Sequence, residues 1–278
     1  MSGRTTVVAI RQGRLRGVAD GPVSAFRGIP YAASPVGRLR FRPPVAHPGW
    51  GGVRDAAEAG PAVPQAASRL AAVMGEREAD WDEDGCLRLN VWTPGDAIGG
   101  RRPRAVLVWY HGGGFTSGSG GWDWYDGARL AAAGDIVVLT ANYRVGALGY
   151  LRLPEVGADT QAAFGAGVET LADACAALGT PAHVYRFTRI STAVPGLGAP
   201  HCSDLPFAFD NLDAYASAPM LGPVGTGDRA LARSFSGALA AFTATGDPGW
   251  PAYRPDPDPY VHRFGTAPDA ERGVGPTG

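Results

Sequence analysis

Lysine is absent from these 278 residues: all 25 cationic side chains are arginine. With abundant alanine, glycine and proline, this is the pattern of a GC-rich genome rather than a binding adaptation. A formal net charge of -1 leaves no global positive field to hold phosphate backbones or anionic lipid, so neither nucleic acid nor a membrane surface is expected as a partner. Cysteine is scarce. Cys86, Cys175 and Cys202 cannot all pair and lack metal-ligand spacing, so they are expected to be buried or incidental thiols, with no metal or other cofactor. No apolar run approaches the length of a bilayer span. The first ten residues hold no signal-peptide core, and a cytoplasmic location follows by default.

What is present suits a folded domain: 45% hydrophobic and 18% charged residues allow a sizeable core. Two β-prone runs, Val7 to Arg16 and Val23 to Tyr31, flank Asp20-Gly21-Pro22 and predict a peripheral antiparallel hairpin. Arg38 to Gly60 is rich in Pro and Gly and predicts irregular surface chain, with a short helix following within Ala66 to Glu78. The clearest signal comes next. Leu87 to Trp92, Ala105 to Tyr110 and Ile136 to Ala141 have strand lengths and β-branched content. The helical stretch Ala128 to Ala133 between the last two predicts a βαβ crossover with parallel strands and both sheet faces covered.

Further along, Val168, Leu171, Ala172, Cys175 and Leu178 recur at helical spacing up to Gly179, a helix stop. A strand from Ala182 to Phe187 and a helix bearing Leu231, Phe235, Leu239 and Phe242 on one face make a second α/β unit. After Gly246, five prolines between Pro248 and Pro259 exclude a helix and predict extended chain, flexible from residue 261 to 278.

The sharpest motif is His111-Gly-Gly-Gly-Phe115, directly after the Ala105 to Tyr110 strand. Three glycines without side chains let consecutive backbone N–H groups turn inward and bind an oxyanion, as HGGG-type loops do in lipases and esterases. An ordinary glycine turn ending a strand is the alternative from the motif alone.

The flanking residues extend the pattern. Val106-Leu-Val-Trp-Tyr-His-Gly-Gly-Gly-Phe115, Gly118-Ser119 and Tyr125-Asp-Gly127 resemble type-B carboxylesterases. So do Phe26-Arg-Gly-Ile-Pro-Tyr31, Pro35-Val-Gly-Arg-Leu-Arg-Phe41 and Cys86-Leu-Arg-Leu-Asn-Val-Trp-Thr-Pro94 upstream, and Val137 to Tyr150 downstream. Tyr185-Arg-Phe187, Gly198-Ala-Pro-His-Cys-Ser-Asp-Leu-Pro-Phe207 and Phe242-Thr-Ala-Thr-Gly-Asp-Pro248 resemble the C-terminal blocks of the same family. The resemblance implies an α/β-hydrolase fold and a carboxylic-ester hydrolase lineage acting on small-molecule esters. It implies Gly113 and Gly114 as oxyanion donors and His201 as the catalytic histidine, whose imidazole titrates near neutral pH. His47, His183 and His262 lack such context and are expected to be structural or exposed.

Two departures qualify that lineage. A nucleophile elbow needs Gly-x-Ser-x-Gly at a strand-to-helix turn, and no such pattern occurs. Neither Ser117 nor Ser119 has glycine at both required offsets, and both belong by resemblance to the oxyanion loop. The chain also passes from the block ending near Pro154 to the one beginning near Asp159 with almost nothing between. In the family that interval holds the elbow, the acidic triad member and several core strands. Asp204 and Asp210 follow the histidine, whereas the hydrolase order places the acid before it, so no acid and no nucleophile are carried over.

The expected architecture is a single, internally truncated α/β-hydrolase domain with an N-terminal hairpin and a partial central sheet. Residues 1–154 resemble the family's N-terminal part and 159–260 its C-terminal part. Two functions follow: an ester hydrolase with half a site, or an inactive deleted homologue serving as a binding or scaffold protein or arising from a damaged gene.

Overall fold

The computed structural model describes residues 4–68, 71–100, 103–150, 168–194, 197, 199–200, 202–255 and 260–265. Its strands are β1 (Arg4–Ile10), β2 (Gly13–Asp20), β3 (Val23–Pro30), β4 (Val53–Asp55), β5 (Arg88–Pro94), β6 (Val106–Tyr110), β7 (Val137–Ala141), β8 (Tyr185–Phe187) and β9 (His262–Phe264). The helices are α1 (Ala71–Met74), α2 (Ala128–Gly134), α3 (Gly146–Tyr150), α4 (Val168–Ala177), α5 (Leu205–Ala208) and α6 (Thr226–Thr245). No described helix is long and apolar enough to cross a membrane.

One mixed sheet runs in the order β1-β2-β3-β5-β7-β6, with β4 added beside β2. The hairpin about Asp20-Gly21-Pro22 forms as β2 and β3, with Asp20 opposite Val23. The run from Val7 to Arg16 is not one strand, however. It folds back at Arg11 and Gln12, so Ile10 pairs with Gly13 and a three-stranded meander results. Nor is the meander peripheral, because β3 pairs antiparallel with β5 and joins it to the central sheet. Within the Pro- and Gly-rich stretch, Val53–Asp55 runs parallel to β2, a pairing that no local pattern announces.

The predicted crossover is present. β6 and β7 pair in parallel from Val106 opposite Val137 to Tyr110 opposite Ala141, with α2 between them in the chain. Side chains alternate across a strand. Leu107 and Trp109 therefore point into the main core, which is built with Trp92, Leu130, Val138, Phe207, Phe209 and Phe235. The opposite face of β6 is open, contrary to the expectation that both faces are covered: Val106, Val108 and Tyr110 are exposed. Among the described residues β6 pairs on one side only, so it is an edge strand.

The second half of the chain closes the covered face. α6 packs against α2, α5 and β6. It starts where the Asp228 carboxylate accepts the Gly225 N–H at 2.9 Å and ends at Gly246, whose φ of 79° suits a glycine helix stop. β8 does not join the main sheet but pairs in parallel with β9. The first residues of the stretch expected to be flexible, His262–Phe264, thus form a strand, held by stacking of His262 on Trp250 and by Phe264 against Phe235.

Candidate active site

The glycine loop leaves the carboxyl end of β6 and turns at once. Gly113 has φ of 130°, and a Cβ there would lie 2.0 Å from the Ser117 carbonyl oxygen, so only glycine fits. The Gly113 carbonyl accepts from the N–H groups of Thr116 and Ser117 and from both of their hydroxyls. Gly114 and Phe115 follow in the left-handed region at 58° and 62°. This tight reversal leaves the N–H groups of Gly113 and Gly114 with no acceptor among the described residues, outside any sheet ladder. Both glycines line a cavity of about 550 Å³ walled by Tyr110, His111, Phe115, Tyr143 and Tyr150.

His111 underpins the loop. Its ring stacks on Tyr143 at 4.4 Å, and the Tyr143 hydroxyl donates to the His111 carbonyl at 2.6 Å. Nδ1 lies 2.9 Å from the Gly112 carbonyl, which can only accept, so Nδ1 carries the proton. Nε2 is buried without a partner among the described residues. Burial pushes the imidazole down to about 4, so it stays neutral and apolar in effect.

Behind the loop lies a polar network that the sequence reading missed. Asn142 accepts from the Gly120 N–H at 2.8 Å and the Ser119 hydroxyl at 3.2 Å, and donates to the carbonyls of Pro61 and Cys86. Asn90 donates to the Gly120 carbonyl and to Thr140, and accepts from the Gly28 N–H. All three side chains are buried. Gln65 completes the clamp by exchanging two hydrogen bonds with the Gly118 backbone. The only sequence signal was a polar residue at alternate positions of otherwise apolar strands.

Ser117 and Ser119 are buried, with hydroxyls engaged inside the loop, on Gly113 and on Asn142 and Gly121 respectively. His201 lies outside the described residues. Its neighbour Cys202 holds a left-handed φ of 72° in the turn entering α5, and burial raises its thiol to about 11. Tyr125 lies near the second motif. Its phenol is raised by burial in the main core, against which Cys202 also packs. Asp210 is drawn upward by burial and sits against α2, where its carbonyl accepts from Arg129. Asp204 receives the Tyr185 hydroxyl at 2.9 Å. The three cysteines are free thiols, and no cluster of metal-ligating side chains occurs among the described residues.

Comparison with known proteins places this loop in context. The chain is 46% identical over 141 residues to phenmedipham hydrolase of Pseudarthrobacter oxydans, covering 50% of this chain and 28% of that protein. It is 38% identical over 147 residues to para-nitrobenzyl esterase of Bacillus subtilis, covering 53% and 29%. The matched chain thus spans under a third of these relatives' length. In structure, a thermophilic PNB esterase superposes with a TM-score of 0.74 at 19% identity over 89% of this chain and 93% of that one, a likeness of fold alone. The fold is that of α/β-hydrolase carboxylesterases. The family model described as "Carboxylesterase family" matches residues 4–159, more than half of the sequence, and the chain belongs to that family.

Proposed function

We propose that this chain retains the oxyanion-binding half of a carboxylic-ester hydrolase without a working nucleophile, so that it binds small esters or their carboxylate products and turns them over no faster than a surface histidine would. Gly113 and Gly114 are the donors in this reading, and His201 is the residue of the lost acid/base pair. The observation that carries it is the pair of unpaired amides bordering the 550 Å³ cavity. Backbone donors fixed before the ligand arrives require no reorganisation, which is what an oxyanion site needs.

A serine hydroxyl is a weak nucleophile unless a base is bonded to it and donors await the oxyanion. Ser117 and Ser119 spend their hydroxyls on the loop's own fold. In this proposal residues 1–154 and 159–260 are the two ends of a hydrolase domain whose interior, with elbow and acid, is missing. An oxyanion hole also draws on the N–H after the nucleophile, so the site is half built.

The test is a fluorophosphonate probe with short p-nitrophenyl esters, alongside amide chemical shifts during a benzoate titration. The expected result is no stoichiometric labelling, together with shifts at Gly113 and Gly114. Labelling of one serine, with turnover abolished by its alanine replacement, would overturn the non-catalytic reading, and Ser117 and Ser119 are the first to replace. Unmoved glycine amides at saturating benzoate would overturn the oxyanion assignment.

A further inference from the structure

A second cavity, of about 210 Å³, lies on the opposite side of the sheet from the glycine loop. The alternation of β6 separates them: Tyr110 lines the first cavity and Trp109 the second. Its walls are the aromatic rings of Trp109, Tyr185, Phe235, Phe242 and Trp250, contributed by β6, β8, α6 and the loop after it. One carboxylate, Asp204, also lines it. Asp204 accepts the Tyr185 hydroxyl at Oδ2, yet among the described residues neither oxygen has a cationic partner within salt-bridge distance.

The imidazole in the wall has the same sense, while the indole N–H groups of Trp109 and Trp250 are buried donors without a partner among the described residues. His183 Nδ1 lies 3.0 Å from the Trp250 carbonyl, which can only accept, so Nδ1 donates and Nε2 of the neutral ring is an acceptor. His183 lines the cavity as well. An aromatic pocket whose one charged wall group is a carboxylate, with an imidazole acceptor beside two indole donors, suits a ligand with an apolar body and a cationic head. Aromatic faces add attraction for a cation, and the carboxylate adds a charge-assisted hydrogen bond.

We infer that this cavity is a binding site for an organic ammonium ion with an aromatic or short aliphatic body, its head on Asp204 and its body among Trp109, Phe235 and Phe242. Size agrees, since a cavity of about 150 Å³ accommodates benzene. The site is independent of the glycine loop, so it stands or falls separately from the esterase reading.

The experiment is a calorimetric titration of the full chain with 2-phenylethylammonium, the near-isosteric neutral 2-phenylethanol, and 3-phenylpropionate. The cation should bind with one-to-one stoichiometry, about tenfold or more tighter than the alcohol, with the anion weakest. Asp204→Asn should reduce the cation to the alcohol's affinity. Asp204 makes no side-chain cap to α5, so that change removes no cap hydrogen bond. Ala238→Leu, filling the cavity from α6, should weaken cation and alcohol alike. Absence of binding, equal affinity for cation and alcohol, or cation binding unaltered in Ala238→Leu would each overturn the assignment. Should Asp204→Asn lower the melting temperature, the cation-to-alcohol ratio in the parent chain decides by itself.

Discussion

Strands β6 and β7 both open on valine and leucine, belong to one crossover and pair along their whole length, yet their valines end in different environments. On β7, Val138 and Thr140 are fully buried. On β6, Val106 and Val108 are 52% and 47% exposed, and Tyr110 at the loop end is 65% exposed. The difference lies first in the face: Val138 registers with Leu107 on the core side, whereas Val106 and Val108 register with Val137 and Leu139 on the open side, where β7 is flanked by β5 and β6 has no second partner among the described residues. Valine thus contributes unequally at Val138 and Val108, because burial energy follows the area removed from water, not the residue name. The glycine loop hangs from the exposed strand but is anchored to the buried one, through Thr140 and Asn142.

The largest effect should come from breaking that anchor. Asn142→Leu would strand the Gly120 N–H and the carbonyls of Pro61 and Cys86 in a buried setting, at a cost of about 4 kcal/mol from unsatisfied polar groups. Urea denaturation measures it, and a loss under about 1 kcal/mol would mean that the loop is not held from β7.

Next is the pH response of His111. Its folded value of about 4 is below the ordinary 6.5, so both states are neutral above pH 6.5 and the group is then without effect on stability. As pH falls from 6.5 to 4, the unfolded chain takes up the proton first, and stability drops by something of the order of 3 kcal/mol. Comparing denaturation midpoints of the parent and His111→Gln across that window isolates the term. Parallel pH profiles would refute a buried neutral imidazole.

Two valine truncations then test the contrast between the covered and the open face directly. Val138→Ala in the core should cost about 2 kcal/mol. Val108→Ala on the edge should cost less than about 0.5 kcal/mol. If chemical denaturation finds the two equal, the exposed face of β6 is covered in solution.

Legibility in the sequence followed the range of the interactions. The strands from Leu87 to Ala141, the helix ending at Gly179 and the glycine reversal were readable, because each rests on local periodicity or on a conformation that one residue type permits. The fold-back at Arg11 and Gln12, the β4 pairing and the β8–β9 sheet were not, because their hydrogen bonds join residues whose local patterns say nothing about each other. The network of Asn90, Thr140 and Asn142 joins positions up to 81 residues apart. The family resemblance singled out Gly113, Gly114 and His201 but could not indicate that Ser117 and Ser119 are consumed by the loop's own hydrogen bonds.

By itself the sequence determined that a Gly-Gly-Gly reversal follows a strand, since a Cβ at Gly113 would collide with Ser117. It determined that β6 and β7 are parallel, since a helix of seven residues returns the chain to the same end of the sheet. Only the tertiary structure decided which face of β6 meets the core under α6 and which meets solvent. An alternating strand offers two faces, and the choice between them depends on what packs there from elsewhere in the chain.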